Sequence, residues 1–144
     1  MRPGIPGLRE FAFDLDTFQG AGKLQAHLLH LPRLPESAGR LMVVVVGAGL
    51  TGIELAAELP ARLRRVVGDN GWDPVRVILA DRSAKIGQAM GGAQPVIEEA
   101  LNALVAELLP GVSRGAVTRD NRQQQTHTQT IEIQDFIEVE SWSW

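Results

Sequence analysis

A glycine-rich turn at residues 47–52 is the part of the sequence whose residue types and spacing best suit a chemical task. Its letters, GAGLTG, follow the apolar run LMVVVV at residues 41–46 and open a helical pattern that starts at Gly52. After a strand, Gly47 permits a tight turn and Gly49 lets a pyrophosphate approach the backbone. The N-terminus of the helix that follows offers free N–H groups and a partial positive charge to phosphates. The turn therefore predicts dinucleotide binding. Its candidate cofactor-binding residues are Gly47, Ala48, Gly49, Leu50, Thr51 and Gly52.

Two charged residues that follow the second predicted strand are candidates for choosing between the two dinucleotides. Asp81 ends this strand, somewhat farther from Gly52 than the usual interval of about 20 residues. A carboxylate there accepts hydrogen bonds from the adenosine ribose and repels a 2′-phosphate, which favours NAD over NADP. The adjacent Arg82 is a type of residue that accommodates that phosphate. The alternative for Asp81 is an acidic residue that serves only the turn at the end of the strand. The alternative for residues 47–52 is a glycine-rich turn that binds no dinucleotide.

Glu54, two residues after the last glycine of the turn, is a third candidate. We expect it in the first helical turn. A carboxylate at that place is explained equally well by a cofactor contact and by favourable interaction with the helix dipole.

The elements around these residues are predicted to alternate between strand and helix. The strands are residues 41–46 and 75–80, and the first helix runs from Gly52 with Pro60 kinking or splitting it. The second helix starts near Pro95 and ends at Pro110-Gly111. Its predicted apolar stripe consists of Ile97, Leu101, Leu104, Val105 and Leu108. This βαβα order predicts an α/β fold, a partial Rossmann-like unit with parallel strands.

Three regions are expected along the chain. Residues 1–40 form a lead-in segment and a helix capped by Thr17, residues 41–118 form the dinucleotide-binding domain, and residues 119–144 form a polar tail. The tail is expected to be a long loop or disordered, with a possible edge strand near residues 131–139. The apolar residues of the N-terminal helix are Phe18, Leu24, Leu28 and Leu31.

Composition excludes several classes of protein. A formal charge of −3 offers no basic field for nucleic acid, and the absence of cysteine rules out disulfides and thiolate metal sites within the chain. With three histidines, no metal site is expected, and His27 and His30 are interpreted as solvated surface residues. No apolar run approaches the roughly 20 residues of a membrane span. Without a secretory signal, the expected location is the cytoplasm.

Four segments resemble one known family. They are VVVVGAGLTGIELAAEL (Val43–Leu59), IPGL (Ile5–Leu8), VRVILADRSAKIG (Val75–Gly87) and VIEEALNALVAEL (Val96–Leu108). They resemble the NAD(P)H-binding domain of the pyridine nucleotide-disulfide oxidoreductase superfamily, nearest its type II NADH dehydrogenase branch. The resemblance covers residues 3–118, which is only part of a whole family member.

The resemblance implies a function for the whole protein. Family members transfer hydride from a nicotinamide to FAD, and the dehydrogenases pass electrons on to quinone, some at the membrane periphery. By resemblance, the three glycines hold the pyrophosphate, Glu54 lies toward the nicotinamide and Asp81 reads the ribose. Family members carry FAD on a separate unit with its own GxGxxG, and this sequence has one such pattern.

The chain alone is therefore expected to bind NADH but not FAD, and to be an inactive fragment. A separate flavin-binding polypeptide is an expected partner. No catalytic residue is assigned. The alternatives are a standalone, non-catalytic nucleotide-binding or regulatory module and a degenerate truncated product.

Overall fold

A computed structural model describes residues 12–15, 17–35, 40–68, 75–104 and 106–111. The predicted tail at residues 119–144 and its edge strand lie outside these ranges. In chain order, the described helices and strands are α1 (Phe18–His30), β1 (Met42–Val46), α2 (Leu50–Val67), β2 (Arg76–Ala80), α3 (Gln94–Ala103) and β3 (Ala106–Leu109). Short 3-10 segments follow α1, at Leu31–Arg33, and precede α3, at Gln88–Ala93.

The strands form a parallel sheet in the order β1-β2-β3. Val45 pairs with Leu79, and Leu79 pairs with Leu108. Parallel neighbours need a crossover, and here α2 connects β1 to β2 while α3 connects β2 to β3. The chain therefore has the α/β, Rossmann-like arrangement that the sequence predicts.

Side chains alternate between the two faces of the sheet, and β1 is buried on both. Val43 and Val45 belong to the main core, whereas Val44 belongs to a second cluster with Ile78 and Ala80. All three valines are at most 2% exposed. This double burial explains why β1 is a continuous apolar run rather than an alternating one.

The helix α2 differs from its prediction at its start and at Pro60. It begins at Leu50, two residues earlier than expected, and continues through Pro60 as one helix to Val67. An interior proline costs about 3 kcal/mol. Leu59 and Leu63, on either side of Pro60, are both 0% exposed, and burying a leucine contributes about 1.5–3 kcal/mol. Packing against the sheet therefore outweighs the lost backbone bond, and the predicted split is wrong.

The largest correction concerns the chain after α3. The sequence predicts a helix to Pro110, but α3 ends at Ala103 and residues 106–109 form β3. Leu101 is buried as predicted, whereas Leu104 is 43% exposed and lies outside the expected stripe. The apolar spacing did not distinguish a helix from a short strand, and pairing with β2 decides the conformation.

The helix α1 begins as predicted, since the hydroxyl of Thr17 accepts a hydrogen bond from the N–H of Gly20 at 3.0 Å. Leu24 and Leu28 are buried, but Phe18 is 98% exposed and lies outside the predicted apolar face. Phe18 precedes Leu24 by six residues, which is not a whole number of 3.6-residue turns. Within the described ranges, no helix has the length and apolarity needed to cross a membrane.

Candidate functional site

The glycine turn lies where β1 ends, beside the end of β2. Gly47 has a φ of +103°, which only glycine adopts readily. Its N–H donates to the carbonyl of Ala80 at 2.8 Å. The turn is thus fastened to the carboxyl end of the neighbouring strand, the edge at which open α/β sheets bind ligands.

Gly52 is required by a close approach between α2 and the turn. A Cβ atom at this position would lie 1.9 Å from the carbonyl oxygen of Gly47 and 3.7 Å from Cγ1 of Val45. A contact of 1.9 Å is far inside van der Waals separation, so any side chain here displaces the helix from the turn. In a GxGxxG pattern the third glycine is the one that allows close packing of the helix, and Gly52 meets this requirement.

The start of α2 offers unpaired backbone donors. Gly49 is the N-cap residue, with extended backbone at φ −74° and ψ 179°, and it makes no side-chain cap. The N–H groups of Leu50, Thr51 and Gly52 have no carbonyl partner within the helix, as in any first turn. The side chains of Leu50 and Thr51 are exposed. These donors and the helix dipole together suit an anion.

Asp81 is joined to the turn directly. Its Oδ2 accepts a hydrogen bond from the N–H of Ala48 at 2.6 Å, and its Oδ1 accepts one from the N–H of Ser83 at 2.6 Å. Ala48 is only 5% exposed, whereas Asp81 is half-buried. The sequence nominated Ala48 and Asp81 as separate cofactor ligands and missed the bond between them. The available signal was that both residues follow neighbouring parallel strands.

Electrostatics keep Asp81 ionised at neutral pH. Burial is the largest single influence and raises the pKa of this carboxyl, but it is outweighed by several lowering influences together, first among them the backbone bonds from Ala48 and Ser83, so the pKa lies below its ordinary value. The hydroxyl of Ser83 and the charge of Arg82 also lower the pKa. An ionised carboxylate accepts hydrogen bonds at about four positions, so Asp81 retains acceptor capacity for a ligand.

The remaining candidates are on the surface. Arg82 has an exposed side chain beside Asp81. Glu54 is also exposed and is the fifth residue of α2, because the helix starts at Leu50. It was expected in the first turn, and α2 has no acidic residue there. This position weakens the helix-dipole explanation, since the dipole acts mainly within the first turn.

Gln94, which the sequence did not nominate, fastens the loop that follows Asp81. It is 8% exposed, and its Nε2 donates to the carbonyl of Ile86 at 3.0 Å and to the carboxylate of Glu98. The loop from Asp81 to Ile86 is therefore anchored at both ends, by Asp81 itself and by this buried amide.

The two described histidines, His27 and His30, lie in α1, away from the turn. Among the described residues, no group of three or more acidic, histidine or cysteine side chains is arranged to hold a metal ion. His30 is exposed, as interpreted from the sequence. His27 is half-buried and its ring lies 5.0 Å from that of Phe13, so it packs against the protein rather than standing free in solvent.

The family profile described as pyridine nucleotide-disulphide oxidoreductase matches residues 1–137. The chain belongs to this family. An NADH dehydrogenase-like protein of Mycobacterium tuberculosis is 47% identical over 119 residues, which are 82% of this chain and 30% of that protein. A type II NADH:quinone oxidoreductase of Staphylococcus haemolyticus is 30% identical over 90 residues, 58% of this chain and 22% of its own length.

A solved structure shows the same fold. The NDH2 structure from Plasmodium falciparum in complex with NADH superposes with a TM-score of 0.76 and 18% identity, covering 96% of this chain and 31% of that one. At this identity the likeness concerns the fold. The chain thus spans about 30% of the length of the Mycobacterium relative.

Proposed function

We propose that this chain is the NADH-binding domain of an FAD-dependent NADH oxidoreductase, with residues 41–118 as the domain. The observation that carries the proposal is the glycine turn, which is packed against α2 at Gly52 and hydrogen-bonded to Asp81 at Ala48. The family supports the oxidoreductase class. The Mycobacterium and Staphylococcus relatives, both named for NADH, support the choice of dinucleotide.

In this proposal the pyrophosphate lies over Gly49, beside the start of α2. Gly49 has no side chain to obstruct it, and the first N–H groups of α2 supply donors to the phosphate oxygens. Glu54 lies toward the nicotinamide, and Leu50 and Thr51 border the site with their exposed side chains.

The ribose of the adenosine lies at Asp81. Each carboxylate oxygen already accepts one backbone N–H, and the remaining lone pairs are available to the ribose hydroxyls. Because its lowered pKa keeps Asp81 negative, a 2′-phosphate is repelled and NADH is preferred to NADPH. Arg82 acts in the opposite direction, so the preference is expected to be incomplete.

The flavin belongs to a different part of the enzyme. The turn at residues 47–52 is the one GxGxxG pattern of the sequence, and the proposal assigns it to NADH. FAD held elsewhere in the protein would supply the acceptor for the hydride, and an acceptor such as quinone would take the electrons from it. This chain binds and orients the nicotinamide dinucleotide, and by itself is inactive. A longer chain or a separate flavin-binding polypeptide supplies the rest.

Calorimetric titration with NADH tests the site. In Gly49→Val the extended backbone at residue 49 is one that valine adopts without strain, so the variant is expected to fold. Its side chain occupies the place of the pyrophosphate, and we expect affinity to fall by about 100-fold, as for the loss of a charge-assisted contact worth about 1.5–3 kcal/mol.

Gly22→Ala is the matched control, because Gly22 lies in α1 with open space around it. It should bind NADH as the unchanged chain does. Equal affinity of Gly49→Val and the unchanged chain, with both folded by circular dichroism, would remove the pyrophosphate from this turn.

A further inference from the structure

We infer that Asp81 is a positioning residue for the phosphate-binding turn, acting through Ala48, and not only a contact for the ribose. This inference rests on the proposed function and deepens it. In this view the N–H of Ala48 bonds to the carboxylate of Asp81 and not to the ligand. The same carboxylate then connects the part of the site that binds the ribose with the part that binds the phosphates.

The first support is how the bonds between β1 and β2 continue past the end of β1. The last backbone bond joins the N–H of Gly47 to the carbonyl of Ala80 at 2.8 Å. The next N–H, that of Ala48, donates to Oδ2 of Asp81 at 2.6 Å. In a continued strand this N–H would point away from β2, because successive N–H groups point to opposite sides of a strand. In the turn it instead meets the side chain of Asp81, which adds one bond between the turn and the end of β2.

The second support is that Asp81 is itself held from several sides. Its backbone N–H donates to the carbonyl of Leu109 at 3.0 Å, which ties it to β3. Its Oδ1 accepts the N–H of Ser83 at 2.6 Å, and the carbonyl of Ser83 accepts the N–H of Gly111 at 2.8 Å. A carboxylate fixed in this way is a rigid support, and hydrogen bonds to an ionised group are roughly twice as strong as neutral ones.

It follows that some N–H groups of the turn are bonded to the protein and others remain available to a ligand. Those of Gly47 and Ala48 already donate to the carbonyl of Ala80 and to the carboxylate of Asp81. The groups left for a pyrophosphate are those at the start of α2, from Leu50 onward. Removing the carboxylate releases Ala48, whose side chain is buried, and loosens the turn before any ligand arrives.

The decisive experiment uses a ligand that cannot contact Asp81 through its ribose. Calorimetry compares NADH with an NADH analogue whose adenosine ribose lacks both hydroxyls, for the unchanged chain, Asp81→Asn and Asp81→Ala. We expect Asp81→Ala to weaken binding of the analogue by about 10-fold or more, since a charged hydrogen bond supports the turn. Asp81→Asn retains one oxygen acceptor and should lie between the other two.

A residue that only reads the ribose gives a different pattern. Asp81→Ala then weakens NADH but leaves the affinity for the analogue unchanged, and that result overturns the inference. If the unchanged chain binds neither ligand, the proposed function fails, and a measurement without ligand still decides the role of Asp81 in the turn.

That measurement is amide hydrogen exchange of Ala48 at neutral pH. We expect exchange at Ala48 to accelerate about 10-fold in Asp81→Ala, because a stabilising hydrogen bond is lost. The amide of Leu28 in α1 should exchange unchanged, which shows that the fold persists. Unaltered exchange at Ala48 in a folded Asp81→Ala chain overturns the inference without reference to any ligand.

Discussion

Among the three described strands, β1 and β3 lie on either side of β2 and are held in place by different interactions. The strand β1 is buried on both faces, with Val45 0% exposed, and its end is fixed by the bond from the N–H of Gly47 to the carbonyl of Ala80 in β2. The strand β3 presents Glu107 to solvent and has half-buried leucines at 108 and 109. It pairs with β2, its two leucines pack partly against the core clusters, and Glu107 forms an exposed ion pair with Arg76.

The difference shows which parts of this chain have a structure set by their own residues and which depend on a distant partner. After β1, two of the three glycines of the turn satisfy a requirement of their own position: a positive φ at Gly47 and an absent side chain at Gly52. Residues 106–109, Ala-Glu-Leu-Leu, contain good helix formers, and they form a strand because β2 provides a partner. One region is specified locally and the other by a neighbour distant in sequence.

The largest expected effect separates the buried and exposed leucines near the end of α3. Leu101 is 2% exposed in the main core, whereas Leu104 is 43% exposed. Leu101→Ala should lower the free energy of unfolding by about 2–5 kcal/mol. Leu104→Ala should change it by about 0.5 kcal/mol or less. Urea denaturation of both variants measures the contrast.

A helix continuing to Pro110 predicts similar losses for the two leucines, because both then belong to one apolar stripe. Comparable destabilisation in the two variants would therefore restore the helical interpretation and remove β3.

A second contrast compares two helical glycines, Gly52, which is packed against the turn, and Gly22, which has open space around it. Gly52→Ala places a Cβ atom 1.9 Å from the carbonyl oxygen of Gly47, and such overpacking costs about 1–3 kcal/mol. Gly22→Ala in α1 meets nothing within 4 Å and should stabilise the protein by up to about 1 kcal/mol, the difference in helix propensity. Thermal melting of the two variants should shift in opposite directions. Two shifts of the same sign would contradict the close approach of α2 to the turn.

These contrasts also show how far the sequence predicts the structure. The turn at 47–52, the strands β1 and β2 and the capping of α1 by Thr17 follow from local rules, and the structure agrees to within a few residues. The exposure of Phe18 could also have been predicted from the sequence, since its six-residue spacing from Leu24 does not match a whole number of helical turns.

Other features lay beyond local rules because they depend on contacts distant in sequence. The unbroken α2 reflects packing of Leu59 and Leu63 against the sheet, which outweighs the cost of Pro60. The Ala48–Asp81 bond joins two strand ends that only the parallel pairing of β1 and β2 brings together. At the candidate site, sequence reasoning nominated both Ala48 and Asp81 but did not predict the bond between them.

The smallest expected effect tests β3 most directly. Nε and one terminal nitrogen of the Arg76 guanidinium donate to Oε1 and Oε2 of Glu107 at 2.8 and 2.9 Å. Because the side chains are 45% and 47% exposed, water screens the pair, and its coupling should be about 0.2–1 kcal/mol. A double-mutant cycle with Arg76→Gln and Glu107→Gln, measured by urea denaturation, isolates this coupling from each residue's other contacts.

The coupling should diminish in 1 M salt, where the screening length is about 3 Å. Arg64→Gln with Glu107→Gln is the control cycle, since Arg64 lies in the last turn of α2, and it should give a coupling near zero. A helix through residues 104–109 removes Glu107 from the strand register beside Arg76. A measurable and salt-sensitive coupling would therefore place Glu107 of β3 beside β2, as the register has it, while zero coupling at low salt would contradict the ion pair between Arg76 and Glu107.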